Sequence, residues 1–168
     1  MNAYKFLDRD GVARFTGFRW PVREWVDGGR VDPCRSGVHA CRVHDLPVWM
    51  GDELWEIELD GEIVERERQV IAQRGRLVRQ VDGWTDELLD GFGELCAQRT
   101  RVRVGYVPVL SGFVGDIDRF ISQRRFPIAG FAAARAAELR DGPDAYDEER
   151  AVQAAWLAEN LGLQPENG

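Results

Sequence analysis

Both histidines of the chain and two of its three cysteines fall in one short segment, Cys34-Arg35-Ser36-Gly37-Val38-His39-Ala40-Cys41-Arg42-Val43-His44. Residues this rare and this reactive point to three kinds of chemistry. Thiolate and imidazole are the preferred ligands of zinc, and Cys34, His39, Cys41 and His44 would supply four ligands for a tetrahedral site. In an extended strand His39 and Cys41 project to the same face, which favours joint ligation. The spacing C-x4-H-x-C-x2-H, however, matches no common zinc pattern and leaves no second knuckle. A cysteine beside a histidine is alternatively a nucleophile, with Cys34 or Cys41 held as thiolate and His39 or His44 moving protons near neutral pH. Arg35 and Arg42 would then contact an anionic group of the substrate. The third reading is structural: free cysteine is among the most buried residue types, and a packed imidazole is satisfied by one hydrogen bond.

Three tryptophans flank this segment: Trp20 and Trp25 on the loop before it, and Trp49 just after it. Aromatic walls with a few convergent polar groups suit a small-molecule pocket. Equally, a large aromatic side chain in an irregular stretch pins that stretch to a core. Neither a G-x-G-x-x-G nor a G-x-x-x-x-G-K, G-x-S-x-G or H-E-x-x-H pattern occurs, which removes the commonest nucleotide, hydrolase and metalloprotease readings.

The elements that must position these residues change character near Trp84. Before it, short strands are expected at Ala3 to Leu7 and around Val12 to Phe18, followed by a loop from Arg19 to Gly37. The clearest strand is Leu54 to Leu59, where Trp55, Ile57 and Leu59 alternate with Glu56 and Glu58. Asp60-Gly61 reads as a hairpin turn, with further strands at Val70 to Gln73 and Leu77 to Val81. After it, Thr85 caps a helix carrying Leu88, Leu89, Phe92, Leu95 and Cys96 on one face. Tyr106 to Gln123, Ala129 to Leu139 and a last stretch ending at Gly162 complete the helical part. The expected class is α+β: an N-terminal antiparallel sheet or small, partly open barrel packed with about four C-terminal helices. The strand-rich half spans 1–84 and the helical half 85–168, folded together as one compact unit.

The 168 residues carry 29 acids against 22 bases, a formal charge of -7. The first half holds 15 acids and 13 bases and the second 14 and 9, so neither has the basic excess of a phosphate-backbone binder. Local arginine clusters, Arg99-Arg101-Arg103 and Arg124-Arg125, leave room for an anion site. Lys5 is the single lysine, a bias that reads as genome composition. No run approaches the length of a membrane helix, the N-terminus has no apolar signal core, and an odd cysteine count suits a reducing compartment. A cytoplasmic protein is expected.

Several segments resemble a family of uncharacterised actinobacterial proteins: Tyr4 to Leu7, Phe15 to Pro21, Cys34 to Arg42, Asp45 to Trp49, Glu53 to Leu59 and Arg74 to Leu77. The likeness covers roughly the first half; in the second, only Gln153 to Leu157 is similar. The core C-x2-G-x-H-A-C and the strand after it also resemble small phage-encoded domains of unknown function. The resemblance implies that Cys34, Gly37, His39 and Cys41 are a family signature, and it brings no activity. A looser similarity, a G-x-H-A loop ahead of a strand, links the chain to ADP-ribosyltransferase folds, although the first motif of those enzymes has no counterpart here.

Two functions are therefore expected to compete. One is a small-molecule-binding protein or enzyme using His39, Cys34 or Cys41, Arg35 or Arg42, and His44 beside Trp20, Trp25 and Trp49. The other is a non-catalytic module whose cluster is structural, with or without zinc, and whose acidic helical half docks a partner protein.

Overall fold

A computed structural model describes residues 1–32 and 35–163; Cys34 lies outside them. Five strands form one sheet: β1 (Asn2–Leu7), β2 (Val26–Asp27), β3 (Val38–Ala40), β4 (Glu53–Arg66) and β5 (Gln69–Gln80). All pairings are antiparallel, in the order β1-β4-β5-β2, with β3 also on β5. The alternation seen in the sequence holds. Ala3 faces Ile57 and Lys5 faces Trp55 across the β1–β4 ladder, and Ala3, Leu7, Trp20, Val38, Ile57 and Leu77 share one buried cluster. A single bridge, Tyr4 to Cys41, ties the end of β3 back to β1. The sheet does not close into a barrel, and with the C-terminal helices the class is α+β.

Asp60-Gly61 is not a hairpin turn. β4 runs on to Arg66, and the register steps from Asp60↔Arg74 to Ile63↔Ala72, so two β4 residues oppose Gln73 alone. This is a bulge, and Gly61 occupies its left-handed position at φ +81°. A glycine beside an aspartate supplies that backbone conformation to a bulge as readily as to a turn. The true turn is Glu67-Arg68, and the two strands expected at Val70 and Leu77 are one, β5. The strand expected at Val12 to Phe18 is instead a tight loop, with Gly17 N–H bonded to Ala13 O at 2.8 Å.

Between β3 and β4 lie a 3-10 turn (Val43–Asp45) and a short helix, α1 (Leu46–Trp49). The helical half comprises α2 (Asp86–Val104), α3 (Gly112–Ser122), α4 (Phe126–Asp141) and α5 (Asp144–Leu161). Thr85 caps α2 as expected, its Oγ1 accepting from Leu88 N–H at 3.3 Å. Pro108 delays α3 to Gly112. Gly93 does not break α2; a side chain there would sit 3.2 Å from both Ile121 and Phe126, so hydrogen in its place lets α3 and α4 approach. Glu149, buried on α5, takes two hydrogen bonds from Arg99 Nε and Nη2 at 2.8 Å and one from Arg103 at 3.0 Å, joining α5 to α2. By Cα proximity the chain divides at Trp84/Thr85 into a sheet unit and a helical unit.

Candidate functional site

Among the described residues, His39, Cys41 and His44 occupy different settings. His39 stands half-buried in the middle of β3, its Nδ1 3.1 Å from Gln69 Oε1 on the neighbouring strand. Cys41 is buried, and its backbone exchanges two 2.8 Å hydrogen bonds with Tyr4. His44 is exposed, with Nε2 3.6 Å from Asp45 Oδ1. Arg35 is exposed in the turn ahead of β3. Among the described residues no three His, Cys, Asp or Glu side chains are placed to hold a metal ion.

Arg42 is committed to the fold. Its Nε donates to Asp45 at 2.8 Å, Nη1 to Glu65 at 3.2 Å, and Nη2 to the carbonyls of Arg66 and Glu67 at 2.7 and 2.9 Å. Burial acts to lower its pKa, but the hydrogen bonds to Asp45 and Glu65 outweigh it and hold the guanidinium above the ordinary arginine value. Trp49 adds to the same clasp, donating Nε1–H to Arg68 O at 2.5 Å. The turn of the β4–β5 hairpin thus has its carbonyls taken by two side chains from the segment after β3. Arg42 and Trp49 hold this turn.

Three of the expected residues do meet, around a fourth that the sequence did not mark. Lys5 lies between Ala3 and Leu7 in the row of β1 that faces the core, both neighbours being 1% exposed. Its ammonium donates to the backbone carbonyl of His39 at 2.6 Å and sits 4.7 Å above the Trp20 ring. Burial pulls its pKa from 10.5 down to about 8, while the charge of a Cys41 thiolate pulls the other way. Trp20 is held there by relay. Glu53 accepts from Gly11 N–H at 3.2 Å and from Trp55 Nε1–H at 2.9 Å, and Gly11 O accepts from Trp20 N–H at 2.9 Å. The one signal for Lys5 was its rarity. A lysine amine can lose its proton when buried, as the guanidinium used elsewhere in the chain cannot.

Neither a scan against protein-family models nor searches of curated proteins and of solved structures found a match to this chain.

Trp25 belongs to another surface. Its ring lies against the guanidinium groups of Arg74 and Arg76, at 4.9 and 4.8 Å. Those arginines pair across β4–β5 with Asp60 and Glu58, and Arg79 pairs with Glu56. Those three pairs neutralise Glu56, Glu58 and Asp60 of β4. The two arginine clusters of the helical half are largely paired internally as well: Arg99 and Arg103 with Glu149, Arg101 with Asp118, and Arg124 with Asp86 and Asp90.

Proposed function

We propose that the chain is a small-molecule-binding protein whose polar centre is the Lys5 amine, set among Trp20, Cys41 and the backbone of His39. One observation carries this reading. The only lysine of the chain interrupts an apolar row, where an aliphatic residue would pack without the cost of removing an ammonium from water. A charge kept in such a place at the expense of stability serves recognition or reaction. Cys41 and the Trp20 face supply a polarisable wall beside it, and Trp20 favours a cation or an iminium at that point.

The test is a ligand-observed NMR screen of small carboxylates and carbonyl compounds against the parent protein and Lys5→Met. Hits that disappear in the variant support the assignment. A set of hits that bind both proteins equally removes Lys5 from the function.

The Arg42 clasp favours a second reading, in which the Cys34–His44 segment is architectural and the protein works as a non-catalytic interaction module through its acidic helical half. Lys5→Met would then leave every binding property in place.

A further inference from the structure

Resting on that reading, we propose that Lys5 is a carbonyl-reactive amine and that the site takes an aldehyde or ketone as a protonated Schiff base. The geometry suits the product as well as the reactant. An ammonium has three donors, of which one is used here, on His39 O at 2.6 Å. An iminium nitrogen keeps one N–H, enough for that same carbonyl. It also keeps its positive charge, which stays over the Trp20 ring, 4.7 Å away in the free protein. The two contacts that fix the amine therefore survive the reaction.

The surroundings favour the reactive form. Ala3 and Leu7 flank Lys5 on the same face of β1, and Trp55 lies across from it on β4. The titratable neighbours are Cys41 and, farther along the same face of β4, Glu53. Glu53 spends its oxygens on the N–H groups of Asp10 and Gly11 and on the Trp55 indole. Burial outweighs the opposing effect of Cys41 and brings the amine to about 8. At pH 7.5 the unprotonated fraction then rises from about 0.1% to about 25%. In the step itself the nitrogen lone pair forms the C–N bond and the carbonyl π electrons move to oxygen. A proton from the nitrogen and one from solvent then convert that oxygen to water, which leaves as the C=N bond forms. Amine, carbonyl compound and one proton give iminium and one water, with no change of oxidation state.

Besides an α-amine, the 168-residue sequence carries one amine, Lys5 Nζ, so the test is clean. The protein is incubated at pH 7.5 with propionaldehyde and sodium cyanoborohydride in the presence of Nα-acetyl-lysine methylamide. Adducts are located by peptide mass mapping. Lys5 in the folded protein is expected to be trapped at least about tenfold faster than the free lysine derivative, with the advantage lost in urea. A Lys5 rate equal to or below that of the derivative overturns the proposal. If that slow rate accompanies ligands that still depend on Lys5, the carbonyl chemistry falls and the binding site stands. If no ligand depends on Lys5 either, both fall.

Discussion

Replacing Lys5 by methionine should leave the protein at least as stable at neutral pH, and should change how stability depends on pH. The fall of the Lys5 pKa from 10.5 to about 8 corresponds to about 3 kcal/mol of preference for the neutral amine. Because the side chain is half-buried, solvent screening reduces this to about 2 kcal/mol. Below pH 8 both the folded and the unfolded amine are protonated, so the folded state carries the whole penalty. Between 8 and 10.5 the unfolded chain binds more protons than the folded one, so stability rises with pH through that window. Methionine removes the charge but leaves the His39 carbonyl without its donor, a loss of about 1 kcal/mol. Lys5→Met is therefore expected to be more stable than the parent by about 1 kcal/mol at pH 7. The parent should recover about 1 to 2 kcal/mol relative to the variant by pH 9.5. Urea unfolding of both proteins, followed by tryptophan fluorescence at pH 7, 8.5 and 9.5, measures the difference; contributions from other titrating groups cancel. A variant less stable by more than about 1 kcal/mol at pH 7 would show Lys5 to be a structural staple. A difference that does not move with pH would show its amine to be ordinary.

Arg42→Leu should lower stability by about 3 kcal/mol, because Asp45, its side chain 3% exposed, loses its guanidinium partner while it stays buried. Thermal unfolding should find part of that loss restored in Arg42→Leu/Asp45→Leu. Gly61→Ala should lose about 1 to 2 kcal/mol in chemical denaturation and Gly61→Val more, since the bulge requires φ +81° and β-branched residues tolerate the left-handed region least. With Cys34→Ser in place, iodoacetamide at pH 8 should modify Cys41 and Cys96 only as the protein unfolds. Both are buried, and burial pushes the Cys96 thiol up to about 12. Stoichiometric alkylation in native buffer would contradict that burial.

The helical half was legible because its signals are local: Thr85 caps α2 through a residue three positions on, and Gly162 ends α5. The sheet was legible in its apolar alternation but not in its connections. Asp60-Gly61 carries the residue types of a turn, and a bulge draws on the same left-handed glycine, so composition alone cannot separate them. The true turn, Glu67-Arg68, has no turn-forming residue; it is held by Arg42 and Trp49 from a segment some twenty residues away, a tertiary fact with no local trace. The same limit applies to the site. Trp20, His39 and Cys41 stood out by type, yet what gathers them is the register of β1 against the chain after β3. Lys5 was visible only as a compositional oddity, and it gained meaning once its strand had a buried face.

The rims of the sheet decide how the protein behaves among other chains. β1 is an end strand, yet Tyr4 offers neither its N–H nor its C=O to a newcomer, since Cys41 holds both. β2, at the far end of the β1-β4-β5-β2 order, is only two residues long. Strand-by-strand recruitment, the route from a native sheet to a fibril, needs a long open edge as template. With one rim interrupted by pairing and the other too short, the sheet unit gives such growth little to start from. The residue after β3, through the backbone of Cys41, thus denies that rim a docking strand whatever its side chain does.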